Sequence, residues 1–229
     1  MTTNESGRAP NNWNPWICWH WELWIGPNTV DRPFNHLVAP SLADTFWAKW
    51  RDYQDFGGGY MTDWGAHMFD IAQWGLGRDH SGPVALIPPG KGKEEGLVYR
   101  YENGVEMIHQ PVSGKNYCHF IGSEGEVFLG RGELRTTPEA LKDKIFDKQD
   151  YKIQVCDNHH QDFLNAIRTR LAPICDVETG HRTATVCNIG NIAYNLQRPL
   201  YWDPEKERFK KDADANKLLK RRMKKEWRV

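Results

Sequence analysis

The chain has 229 residues, and its 30 lysines and arginines balance its 30 aspartates and glutamates, so its formal net charge is zero. This length is enough for one domain with a sizeable core. Balanced charge provides no general attraction to nucleic acid or to anionic membranes, so we expect neither as a partner. The five cysteines form no Cys-x-x-Cys pair, which predicts no disulfide framework and no metal site.

The first part of the chain, residues 1–44, reads as an aromatic, proline-punctuated lead-in. Trp19 and Trp21 alternate there with polar residues, which favours a short extended segment. Aromatic rings stack on sugars and also fill cores and interfaces, so both roles stay open. No signal sequence or membrane span is visible. We therefore expect a cytoplasmic location for the chain as it stands, or export if an upstream signal was removed.

The most informative segment runs from Gly57 to Asp70, where three glycines precede a helical pattern that predicts a helix over residues 58–75. Side chains that recur there at steps of three and four residues are Tyr60, Asp63, His67, Asp70 and Trp74. Such steps place side chains on one face of a helix. A carboxylate near an imidazole suits general acid/base catalysis, which makes Asp63 and His67 candidate catalytic residues. The same spacing is also ordinary on solvated helix faces.

The opposite side of this predicted helix is apolar and should pack on the core. Its stripe consists of Met61, Trp64, Met68, Ile71 and Ala72. A helix that is buried on one side and carries an acid–imidazole line on another is typical of a pocket wall. We therefore expect Tyr60, Trp64, Asp70 and Trp74 to contact a substrate.

After this helix, alternating apolar runs predict a mostly antiparallel sheet within residues 83–136. The predicted strands are 84–87, 97–101, 105–109, 117–121, 126–129 and 133–136. Residues 157–229 are predicted to be mainly helical, with helices at 158–169, 180–197 and 213–226. The fold class is therefore α+β, an open sheet with helices packed on one face and the other face available for oligomerisation.

A second candidate group is the pair His159 and His160, at the start of the first of these later helices. Adjacent residues on a helix diverge by about 100°, so the pair is a poor metal site. Contact with a substrate and ordinary packing at a helix start both stay open. The sequence does not decide which of the two histidines would face a pocket.

The spacing Gly-Gly-Gly-x-x-x-Asp-x-Gly-x-His-x-x-Asp resembles the signature of the C-terminal domain of the Gfo/Idh/MocA oxidoreductases, in their bacterial sugar-modifying branch. Shorter similar pieces include Trp24-Ile25-Gly26-Pro27, Gly122-Ser123-Glu124-Gly125 and Gly190-Asn191-Ile192-Ala193. The resemblance implies that Asp63 and His67 face a sugar or glycoside. It also implies that His67 is the acid/base on the oxidised hydroxyl, that NAD or NADP is the cofactor, and that a histidine of the later pair approaches the pocket.

The family's Rossmann domain has no counterpart here, because no Gly-x-Gly-x-x-Gly follows a strand. We expect residues 1–229 to form a single C-terminal domain that binds no nucleotide alone. Its expected partners are a small sugar or glycoside, together with a second copy at the open sheet face or a separate Rossmann-containing chain.

Three functions remain open from the sequence. The first is the substrate-binding and catalytic half of a sugar oxidoreductase. The second is a cofactor-free enzyme that performs elimination, hydration or isomerisation of a keto-sugar, for which a base beside an acidic C–H suffices. The third is a non-catalytic oligomerising or binding module.

Overall fold

A computed structural model describes residues 20–29, 35, 37–40, 45–90, 96–110, 116–144 and 156–228. Much of the aromatic lead-in, including the predicted extended segment at Trp19, lies outside the described residues. No helix in the described ranges combines the length and the apolarity that crossing a membrane requires.

The described residues contain helices and strands in an α+β arrangement. The helices are α1 Trp21–Ile25, α2 Trp64–Gly75, α3 His159–Thr169, α4 Val177–Leu196 and α5 Ala213–Lys217. The strands are β1 Ala85–Ile87, β2 Leu97–Arg100, β3 Glu106–His109, β4 Tyr117–Gly122, β5 Gly125–Gly130, β6 Glu133–Thr137, β7 Leu200–Asp203 and β8 Arg208–Phe209. The predicted fold class and all six predicted strands are confirmed.

The strands form two antiparallel sheets rather than the single sheet that the sequence predicts. The larger has the order β3-β2-β1-β7-β8 and the smaller the order β4-β5-β6. In the larger sheet, Leu86 lies opposite both Tyr99 and Leu200, so these three side chains share one face. All three are buried beneath α4 and belong to the core. The sequence analysis missed β7 and β8, which are short and bring a distant part of the chain to β1.

Helix α4 approaches the larger sheet closely at Gly190. A Cβ at this position would overlap the Tyr99 hydroxyl and lie 2.8 Å from the sulfur of Met61. The next residue, Asn191, donates a hydrogen bond from Nδ2 to the carbonyl of Gly58 at 2.7 Å. Helix α4 therefore contacts both the sheet and the glycine segment that precedes α2.

The motif helix begins at Trp64, later than the predicted start at residue 58. Gly58 and Gly59 have φ angles of 85° and 82°, which a right-handed helix excludes. Tyr60 and Asp63 therefore precede the helix, so the spacing of three and four residues does not place their side chains on its face. The predicted core stripe is also partly wrong. Met61 is buried, but Phe69 and Gln73 are the buried side chains of α2.

Two further predictions are corrected near the ends of the described chain. The last helix stops at Lys217 instead of continuing to residue 226. The following segment pairs with the N-terminal part, where Met223 forms a β-bridge with Asn28. Trp21 lies in α1 and not in an extended segment, and its ring stacks on that of Trp24 at 4.7 Å. Helical spacing brings these two rings together.

Replacing Gly190 with alanine should lower the free energy of unfolding by about 1–3 kcal/mol, because the added methyl group meets Tyr99 and Met61 in a packed core. Urea unfolding followed by tryptophan fluorescence measures the change. Gly180→Ala in the same helix is the matched control, since a Cβ there has no heavy atom within 4 Å. That variant should be neutral or up to about 1 kcal/mol more stable. Equal stability of the two variants would contradict the close approach at Gly190.

Candidate functional site

A groove of about 470 Å³ lies between α2 and α4. Helix α2 contributes His67 and Asp70, and α4 contributes Thr183 and Asn188. Arg131, from the turn between β5 and β6, also lines the groove. The groove thus combines an imidazole, a carboxylate, a hydroxyl, an amide and a guanidinium, which are the groups that proteins use to bind and deprotonate polar small molecules.

His67 lies on the exposed rim of this groove. Its ring centroid is 5.4 Å from that of Trp64, one turn earlier on α2. Within the described part of the chain, no hydrogen bond or ion pair engages its ring nitrogens. An imidazole in this position can exchange a proton with a ligand in the groove.

Asp70 and Thr183 connect the two helices that form the groove. The Thr183 hydroxyl donates a hydrogen bond to Asp70 Oδ1 at 2.9 Å. The side chain of Thr183 is buried and Asp70 is half-buried, so this bond is partly shielded from water. The contact keeps a carboxylate at the groove and fixes α2 against α4.

Cys187 also lines the groove but is a poor nucleophile. Burial, with a smaller contribution from the Asp70 carboxylate, raises the pKa of its thiol to about 12. The reactive form of a cysteine is the thiolate. At neutral pH this side chain therefore contributes packing rather than covalent chemistry.

Asp63 faces an arginine instead of His67. Its Oδ2 lies 3.5 Å from Nε of Arg51. The guanidinium of Arg51 lies over two rings, with its central carbon 4.3 Å from the centroid of Trp47 and 4.6 Å from that of Trp50. No hydrogen bond joins Asp63 to His67 among the described residues, and Asp63 is outside the groove lining. The two residues of the predicted catalytic pair thus have different neighbours.

The remaining predicted substrate contacts also lie outside the groove lining. Tyr60 forms a hydrogen bond with the side chain of Asn116, whose amide nitrogen is 2.7 Å from the tyrosine hydroxyl. Trp74 is exposed at the far end of α2. The rings of His159 and His160 lie 4.1 Å apart, and both residues are exposed on α3. Of the predicted site residues, the structure brings His67 and Asp70 into the groove, with Trp64 beside them.

Sequence reasoning missed Arg131, Thr183 and Asn188. The groove-lining residues Thr183 and Cys187 are four apart, as are Ala184 and Asn188, which is the spacing of one helix face. That spacing becomes informative only when α4 is known to face α2. Arg131 lies in a two-residue hairpin turn, and no local pattern connects it to His67.

The described residues do not fit a dinucleotide or a metal. No cluster of three or more histidine, cysteine, aspartate or glutamate side chains there could hold a metal ion. A Rossmann site needs a parallel strand, a glycine turn and a helix. In this chain, a 3-10 turn at Lys49–Asp52 precedes the glycine segment, and the paired strands of both described sheets are antiparallel.

Residues 17–229 match the Gfo/Idh/MocA family model described as "Oxidoreductase family, C-terminal alpha/beta domain". The matched range includes α2, α4 and both sheets. No curated protein matches the chain.

Thr183→Val should lower the free energy of unfolding by about 1–3 kcal/mol, because the carboxylate of Asp70 loses a buried donor while the side chain keeps its shape. Thr183→Ser keeps the hydroxyl and should retain most of the stability. Urea unfolding of both variants tests this link between the helices. A valine variant as stable as the wild type would show that the bond to Asp70 contributes nothing.

Proposed function

The chain belongs to the Gfo/Idh/MocA oxidoreductase family as its C-terminal alpha/beta domain, and we propose that it is the substrate-binding and catalytic half of a sugar or glycoside oxidoreductase. The observation that carries this proposal is the groove between α2 and α4, where His67 lies together with Asp70 and Asn188. Its volume of about 470 Å³ is in the range of small-molecule sites.

The polar lining supports a sugar as the substrate class. Sugar hydroxyls both donate and accept hydrogen bonds, and the carboxylate of Asp70 and the amide of Asn188 offer complementary groups. The indole of Trp64 flanks His67 and adds an aromatic surface beside the groove. A hydroxyl held near His67 would then be deprotonated as it is oxidised.

In this proposal His67 is the acid/base. Asp63, which is ion-paired with Arg51, binds the sugar beside the groove. An imidazole that exchanges its proton with the substrate hydroxyl typically contributes 10²- to 10⁴-fold to the rate. Arg51 keeps the carboxylate of Asp63 at the start of α2. His159 or His160 would contact the substrate only if α3 moved towards the groove or if a partner chain placed a substrate beside α3.

The hydride acceptor in this proposal is NAD or NADP, held by a nucleotide-binding domain outside the described residues. Oxidation of an alcohol requires a hydride acceptor. Among the described residues we find no strand, glycine turn and helix arranged to bind a nicotinamide dinucleotide. The outer face of the larger sheet is the proposed surface for a second copy or for the nucleotide-binding partner. It carries exposed apolar side chains, with Ile108 51% and Tyr201 60% accessible.

His67→Ala should reduce the turnover of sugar oxidation about 10²- to 10⁴-fold with little change in KM, because a proton-transfer group is lost while the sugar contacts remain. NAD(P)H formation by the complete oxidoreductase, with its nucleotide domain present, measures this. His80→Ala is the control, since His80 is an exposed histidine just after α2 and outside the groove lining. Unchanged turnover in the His67 variant would remove His67 from the mechanism.

Titration of the purified chain with NAD(H) and NADP(H) separates the alternative functions. We expect no saturable quenching of tryptophan fluorescence at millimolar nucleotide, since the proposed nucleotide site is elsewhere. Saturable binding at micromolar nucleotide would contradict a separate nucleotide domain. Turnover of a keto-sugar without nucleotide would instead indicate cofactor-free acid/base chemistry. Failure to bind or turn over any sugar would favour an oligomerising or binding module.

A further inference from the structure

Arg131 lies beside the groove. It lies in the tight turn between β5 and β6, where Gly130 pairs with Glu133 and Gly132 has a φ angle of 72°. Its guanidinium carbon is 4.8 Å from the ring centroid of Trp64. The same arginine lines the groove with His67. A two-residue turn and an aromatic surface thus hold a permanent positive charge next to the candidate acid/base.

This charge is not neutralised by the described part of the chain. No described carboxylate lies within ion-pairing distance of Arg131, whereas Arg51 and Arg135 have such partners. Arg51 pairs with Asp63, and Nε of Arg135 lies 2.9 Å from Glu133. The carboxylate in the groove, that of Asp70, accepts its hydrogen bond from Thr183. The in-plane donors of Arg131 therefore remain available to a ligand.

We propose that Arg131 binds an anionic group of the substrate, so that the groove takes an acidic carbohydrate in preference to a neutral sugar. This inference rests on the proposed sugar-oxidising function and names its substrate class. A guanidinium that stacks on an indole presents N–H donors along its edge, and this fork matches the paired oxygens of a carboxylate or a phosphate. A sugar ring beside Trp64 and His67 would then be oriented by its charged substituent.

Binding of matched sugars to the full chain tests the proposal. Isothermal titration at constant ionic strength compares D-glucose with D-glucuronate and D-glucose 6-phosphate, and D-galactose with D-galacturonate and D-galactose 6-phosphate. At least one acidic sugar should bind about tenfold or more tightly than its neutral counterpart, as a charge-assisted hydrogen-bonded pair provides. A preference for the uronate identifies a carboxylate as the recognised group, and a preference for the sugar phosphate identifies a phosphate.

Variants of two arginines in the same hairpin locate the effect. Arg131→Ala should abolish the preference for acidic sugar, because losing the charge-assisted bond to the anion weakens binding of acidic sugars far more than binding of neutral sugars. Arg131→Lys should restore part of the preference, since it keeps the charge without the fork. Arg135→Ala is the matched control. Arg135 also lies over an aromatic ring, 4.0 Å from Phe128, but it pairs with Glu133 and is outside the groove lining.

The outcomes separate this inference from the function on which it rests. Equal binding of acidic and neutral sugars, or an undiminished preference in a folded Arg131→Ala protein, overturns the role of Arg131 and leaves the sugar groove intact. Failure of the wild-type chain to bind any sugar of either series overturns both. Arg131 is exposed in a turn, so circular dichroism and thermal unfolding should show a wild-type fold in its variants.

Discussion

The close approach of α4 to the larger sheet at Gly190 is the contact on which the rest of the structure depends. No side chain larger than hydrogen fits there, because the hydroxyl of Tyr99 and the sulfur of Met61 occupy the space. Met61 belongs to the glycine motif, and Asn191 binds the carbonyl of Gly58 in the same motif. One turn of α4 thus fixes the sheet and the start of α2 together, and earlier turns of α4 face α2 across the groove.

The charged side chains around the groove differ in the partners that hold them. Arg51 lies over two indole rings and holds Asp63 in an ion pair at the start of α2. Asp70 is tied to Thr183, so its carboxylate is positioned by a neutral donor. His67 forms no hydrogen bond or ion pair with a carboxylate within the described chain. An imidazole in such surroundings is available to exchange its proton with a ligand, which is what the proposed oxidation needs.

The elements that could be predicted are those stabilised by local interactions. The strands between residues 83 and 136 follow one another through short turns, so alternation along the chain was sufficient to find them. Helix α3 is capped by Asn158, whose side chain accepts a hydrogen bond from the backbone N–H of Gln161, and it begins close to the predicted residue. Helix α4 begins three residues before its predicted start because the side chain of Asp176 caps it by accepting a hydrogen bond from the backbone N–H of Thr179.

Residue order alone determined the α+β class, the hairpins and the presence of His67 and Asp70 on one helix, because each depends on hydrogen bonds and spacing within a few residues. The tertiary structure decided which of these side chains meet. Gly58 and Gly59 have positive φ angles and the helix begins only at Trp64, so Tyr60 and Asp63 precede it, and Asp63 pairs with Arg51. Arg131 and Thr183 reached the groove from elements far away in sequence. Their positions depend on how helices and sheets pack, and packing between distant segments leaves no periodic pattern in the chain.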